Sequence, residues 1–370
     1  MSDNLGLAQL SDHLLIVAVV IYSLAMLAYA GDFAYGRRAR GAASAKTARP
    51  VPELAGVGAG SSGGTPEALD TPGVPGGGGG ASEKPPATVP PAPAGSGATG
   101  RGTAAPGAPV AGARERLGPL IRGAAALTYL GLAVHLAGVV TRGLAVHRVP
   151  WGDMYEFVTA LTCVTVIFFV ALMMRYRAWH LGVFLTGAVV VALGLAQTVI
   201  YTPAGPLVPA LRSYWLAIHV AAMTLSVGIF FVAAVLGVVY LSAERYGRRV
   251  AAGQSPASHG IMRRLPGAEE LDRLTYRTVV FGFPIWTFGI IAGAIWADQA
   301  WGRYWGWDPV ETWAFITWVI YACFLHARAT AGWRGKRAAY IQLLGFGCLL
   351  FNVLAVQTFI TGLHSYAGLG

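Results

Sequence analysis

The chain has 370 residues, 55% of them hydrophobic and only 12% charged, against the roughly 25% charge typical of soluble domains. Its net charge of +10 comes from short Lys/Arg clusters between apolar runs, the pattern that writes membrane topology rather than a nucleic-acid footprint. The three cysteines, Cys163, Cys323 and Cys348, sit inside apolar runs and form no CxxC pair, which argues against a disulfide framework, a thiol-redox motif and a thiolate metal site.

Crossing a hydrocarbon core of about 30 Å takes roughly 20 apolar residues. Eight runs meet that length: 13–35, 120–141, 154–174, 181–200, 214–242, 277–297, 309–328 and 339–361. An isolated strand cannot satisfy its backbone in lipid, so the fold class expected is an all-α, polytopic membrane bundle of about eight transmembrane helices. The first run lacks a basic segment before it and is followed by Arg37, Arg38 and Arg40. This reads as a retained helix with its N-terminus outside, not a cleaved signal peptide. Twelve of the 21 prolines then fall between Pro50 and Pro109 among Gly and Ala, a composition with little to bury and expected to be disordered. The organisation predicted is an N-terminal helix in 1–35, a cytoplasmic linker in 36–119 and a membrane domain in 120–370.

Basic segments at 36–49, 114–122, 175–177, 245–277 and 328–337 alternate with loops at 201–213, 298–308 and 362–370 that carry one Arg or none. The positive-inside rule then predicts N-out and C-out topology, with 142–153 a mild exception and the 298–308 loop outside.

That loop lies in "WADQAWGRYWGWDPVETW", residues 296–313, which holds five tryptophans within eighteen residues. Asp308, Pro309 and Glu311 have the spacing of a helix start, with a side-chain acceptor at N-cap, proline at N1 and a reciprocal carboxylate at N3. Asp153 and Glu156 in "WGDMYEF" repeat the pattern. An aromatic belt at headgroup level accounts for scattered indoles, and Trp296 and Trp313, at flanking helix ends, read as belt residues. Concentrated indoles interrupted by Gly302 and Gly306 point instead to a stacking platform for a flat ligand, made of Trp301, Trp305 and Trp307.

His219 opens the fifth helix and His364 follows the eighth, both at the level of the tryptophan loop. Two imidazoles flanking an aromatic shelf suit a macrocycle with iron at its centre. Arg303, Arg212 and Arg148 are the outer cations for carboxylates on such a ligand, although Arg148 reads as ordinary surface charge. His326 lies 17 residues into a helix that starts at Pro309, about 26 Å down at 1.5 Å per residue. It is therefore either a functional ionisable group or an interfacial anchor beside Arg328. For His135, packing and an outer-site contact both stand.

With these residues in place, "WGRYWGWDPVETWAFITWVIYACFLHARAT", "VPWGDMYEF" upstream and the flanking histidines resemble the tryptophan-rich WWD haem-handling proteins of cytochrome c assembly, System II CcsA/ResC type. The resemblance covers about 120–370. It implies haem b as a bound substrate at an extracytoplasmic site formed by His219, His364, Trp301, Trp305, Trp307, Asp308 and Arg303. It further implies delivery to the CxxCH cysteines of apocytochrome c, and an inner site where His326 ligates haem with a residue of a ResB-type partner. Val310 stands where the family often has Lys, and Asp153 where Asn is common.

The function expected is haem delivery within a cytochrome c synthase in the cell membrane, with haem export as an associated role and no catalytic side chain of its own. A separate thioredoxin-like thiol reductase would keep the apocytochrome cysteines reduced. The rivals are a b-type electron-transfer cytochrome, which needs histidines paired across facing helices, and a non-haem transporter of an aromatic or quinone-like solute.

Overall fold

The computed structural model describes residues 2–47, 118–176, 179–205, 211–254, 266–330 and 332–364, and all regular structure among them is helical. The elements are α1 (Ser2–Thr47), α2 (Pro119–Val146), α3 (Met154–Tyr176), α4 (Gly182–Thr198), α5 (Tyr214–Ala251), α6 (Ala268–Trp301), α7 (Pro309–Ala329) and α8 (Lys336–Phe351). A π-helical turn, Asn352–Val356, and a last short helix, Gln357–Phe359, continue α8. Residues 1–45 and 117–370 form one compact unit. The expected linker lies, from 48 to 117, outside the described residues, and α1 continues to Thr47, past the span end expected at 35.

Seven of these helices are long and apolar enough to cross a membrane. The remaining one, α4, has 17 residues, about 25 Å at 1.5 Å per residue. It follows a 3₁₀ turn at Trp179–Leu181. The chain is thus a polytopic helical membrane protein.

Local chemistry sets the helix ends that matter for the site. Ser213 caps α5 by accepting from Trp215 N at 3.2 Å. Gly302 ends α6 in the left-handed region at φ 69°, a conformation glycine reaches without a Cβ clash. Asp308 and Glu311 complete a full capping box with Pro309 at N1 of α7, as their spacing predicts.

Close packing of α5 on α6 is carried by glycines on one face of α6. A Cβ on Gly282 would meet Ile229 and Phe230, one on Gly289 would meet Met223 and Ala222, and one on Gly293 would stand 2.6 Å from the His219 ring. Small residues let helix backbones approach where lipid supplies no hydrophobic drive to association. The same device docks α1, whose Tyr22 covers Gly131 of α2 and whose Tyr29 covers Gly182 of α4. Ser11 donates to Gly138 O at 2.8 Å, and buried His135 donates Nε2–H to Thr159 O at 3.0 Å with Tyr22 OH 3.5 Å from Nδ1. His135 therefore packs among α1, α2 and α3.

Successive helices run in alternate directions, so the start of α1, the connections α2–α3, α4–α5 and α6–α7, and the end of α8 gather at one end of the bundle. Contacts across that end include Asp12–Arg142 at 3.6 Å and Asp308–His364 at 2.8 Å.

Candidate functional site

That end holds an open-mouthed cavity of about 170 Å³, with walls from α3, α5, α6, α7, α8 and the connections between them. His219 and His364 both line it, as do Trp296, Trp301 and Trp305.

The two imidazoles are each fixed through Nδ1. His219 Nδ1–H donates to Gly289 O at 2.8 Å, a carbonyl within reach because Gly289 and Gly293 bring α6 against α5. His364 Nδ1–H donates to Asp308 Oδ1 at 2.8 Å. In both rings the bond fixes a proton on Nδ1, the arrangement that metal-ligating histidines adopt with a carbonyl or carboxylate behind them. Trp296 connects the pair: its ring lies nearly parallel to His219, centroids 6.1 Å apart, and edge-on to His364 at 5.8 Å. Trp301 packs on both Trp296 and His364, at 4.7 Å and 5.1 Å.

Asp308 does more than cap. Its Oδ1 accepts from Val310 N at 3.1 Å as well as from His364, and its Oδ2 accepts from Leu363 N at 2.7 Å. A Cβ on Gly362 would lie 2.6 Å from that Oδ2, so glycine there permits the segment after α8 to close onto the cap. Burial raises the Asp308 pKa, but the bonds from His364, Leu363 and Val310 outweigh it and hold the carboxyl below its usual value.

The remaining sequence-predicted residues divide. Trp305 lines the cavity, whereas Trp307 is exposed, sits at φ 59° and packs edge-on against Trp305 at 5.7 Å and Phe315 at 6.2 Å. Arg303 lies 3.4 Å from Glu311 and over the Trp301 ring. Arg212 is exposed. His326 is exposed on the flank of α7, away from the cavity lining, near the Arg328–Asp272 pair at the other end of the bundle.

Two readings made from sequence alter. Trp296 is no belt residue: at 2% exposure it is the largest fully buried side chain and the hub of the site. Arg148 is no loose surface charge: its Nη1 and Nη2 grip Glu156 at 2.6 and 3.3 Å, beside buried Arg142. Trp151 of the α2–α3 connection, also on the cavity wall, was legible only through the repeated WG-and-acid pattern of "WGDMYEF". Asp153, on the same wall, has its carboxyl pushed up to about 6 by burial and by the neighbouring Glu156 charge.

A helical membrane bundle with two backed histidines and an indole hub around one cavity is the class of protein defined by this fold and site. The chain belongs to the cytochrome C assembly protein family, whose model matches residues 151–364, and its role is in cytochrome c biogenesis. It is 38% identical over 246 residues to the cytochrome c biogenesis protein CcsA of Guillardia theta, covering 62% of this chain and 80% of that one. It is 35% identical over 297 residues to the CcsA of Gloeobacter violaceus, covering 67% and 86%. A solved cytochrome c heme lyase CcmF superposes with a TM-score of 0.49 at 20% identity, over 65% of this chain and 42% of that one.

Proposed function

We propose that the chain holds haem b as a substrate at the tryptophan-loop end, ligated by His219 and His364, and presents it to the CxxCH cysteines of apocytochrome c. The observation that carries this reading is the pair of imidazoles lining one cavity, each with its Nδ1 committed to an oxygen acceptor. The surroundings fit the group: Trp296, Trp301 and Trp305 supply aromatic faces, and Arg303 is the cation closest in sequence for a propionate. Bound haem supplies the vinyl carbons across which the two cysteine thiols add. The chain's own contribution is to bind, orient and hold the macrocycle within near-attack distance of the thiols.

The extracytoplasmic side is assigned to this site because Arg245, Arg248, Arg249, Arg334, Lys336 and Arg337 cluster at the opposite end of the bundle. Exposed His326 at that end takes part in a second, inner haem site completed by a ResB-type subunit, which makes haem export a property of the pair of chains. A thioredoxin-like reductase keeps the apocytochrome thiols free. No observation favours the b-type cytochrome or the non-haem transporter.

Co-purification with a ResB-type partner, followed by absorption spectra of wild type, His219→Ala, His364→Ala and His326→Ala, tests the reading. The first two variants should lose the outer haem and cytochrome c maturation, and the third should lower total haem. Normal haem and maturation in both outer variants would overturn it.

A further inference from the structure

Two stretches of the cavity rim are built alike. In the α2–α3 connection, Asp153 accepts from Glu156 N at 2.8 Å as N-cap of α3, and Glu156 sits at N3. The Glu156 carboxylate turns back to accept from Gly152 N at 2.8 Å, from Arg148 at 2.6 and 3.3 Å and from Arg142 Nε at 3.1 Å. In the α6–α7 connection, Asp308 caps α7 and Glu311 sits at N3. Its carboxylate accepts from Gly306 N at 2.9 Å, from Asp308 N at 3.1 Å and from Arg303 Nη1 at 3.4 Å. In both, the glycine whose N–H is captured directly follows an indole, Trp151 or Trp305, and both indoles line the cavity.

The electrostatics argue against a role in stability alone. Glu156 is fully buried and Arg142 is 2% exposed, and the desolvation of such charges cancels most of their mutual attraction. What the cluster does impose is geometry. Here that geometry is the glycine N–H, and with it the direction of the preceding indole. Trp305 also leans on Trp307 and Phe315. No described aromatic ring packs on Trp151, and its backbone is held by its own N–H on Val149 O at 3.0 Å and by the Glu156 bond to Gly152 N.

We propose that Glu156 and Glu311 are matched positioning residues, each fixing the glycine after an indole so that Trp151 and Trp305 form two set walls of one clamp for a planar ligand. The inference deepens the haem reading above and rests on it. Glu156 stands behind the cavity wall and acts through its indole alone, whereas Glu311 holds its indole from the lining itself.

The test uses the full chain co-expressed with its ResB-type partner and a double-mutant cycle between Trp151→Leu and Glu156→Gln. Haem retained per protein, the Soret maximum and ferric electron paramagnetic resonance are read beside thermal melting. Each single variant should lower haem retention about 10-fold, the lower end of what loss of an outer-shell partner costs a metal site, and shift the Soret maximum. The double variant should retain no less haem than Trp151→Leu alone, because Glu156 has no second route to the ligand. If Glu156→Gln fails to fold, Arg148→Lys takes its place in the cycle, since it keeps the charge but loses the two-pronged grip. Additive losses, or a Trp151→Leu protein with wild-type haem and spectrum, overturn the clamp while leaving the His219 and His364 assignments standing. A wild-type complex without any Soret band sinks both readings.

Discussion

Asp308 joins two jobs in one carboxylate, capping α7 and carrying His364. Substituting alanine removes its bonds to Val310 N, Leu363 N and His364 Nδ1 together. Loss of the cap costs about 1 kcal/mol, and loss of the histidine's backing should cut haem retention about 10- to 100-fold. Asp308→Asn keeps an acceptor and should fall between, as measured by haem per protein after gel filtration. Asp153 makes a prediction of opposite sign. Its carboxyl is raised from 3.8 to about 6 in the fold, so the fold prefers the protonated form. The preference is fully present below pH 3.8 and is lost as pH rises through 6. At neutral pH the ionised group costs about 1 to 2 kcal/mol after discounting for partial exposure. Asn caps a helix as well as Asp, so Asp153→Asn should raise the melting temperature at pH 7.5 and leave it unchanged at pH 4. An unchanged melt at both values would remove Asp153 as a stability determinant. The caps were legible from sequence because capping is local; the bond from Asp308 to a histidine 56 residues away was not, because nothing local encodes it.

Among the elements, the glycine faces decide which helices can meet. Gly293 lets His219 lie against α6, where even a methyl would sit 2.6 Å from the ring. Gly293→Ala should therefore displace the imidazole, lowering haem retention more than it lowers the melting temperature. Gly182 plays the same part for α1: a Cβ there would run into the Tyr29 ring. Overpacking of this kind costs typically about 1 to 3 kcal/mol, so Gly182→Ala should lower the melting temperature of the full chain in detergent, and Gly182→Ala with Tyr29→Leu should recover it. The positions and lengths of the helices followed from hydropathy. Their pairing did not, since in lipid the discriminating residues are small ones whose effect depends on what faces them.

For the molecule as a whole, the alternating helices bring both described termini and the cavity to one end, with the densest Arg and Lys clusters at the other. The topology proposed above, with the cavity outside the cytoplasm, rests on applying the positive-inside rule to that asymmetry. In a cysteine-free background, Tyr304→Cys should react with a membrane-impermeant maleimide in intact cells, and Trp333→Cys should react only after lysis. The reverse pattern would invert the topology and move the candidate site to the cytoplasm.

Read alone, the sequence determined the helical class, the eight apolar segments, the helix caps at Asp153 and Asp308 and the histidines and indoles from which a flat-ligand site is assembled. These are properties of composition and short-range spacing, and a membrane enforces them because every backbone polar group in lipid must be satisfied locally. The tertiary structure decided that Trp296 rather than Trp307 lies between the imidazoles, that Asp308 backs His364, and that Arg148 and Arg142 belong to a buried anchor under Trp151. The imidazole contacts depend on close approaches that Gly293 and Gly362 permit, and the arginine anchor on how the α2–α3 turn folds back; a side chain's surroundings across such approaches are written in the packing rather than in its neighbours along the sequence.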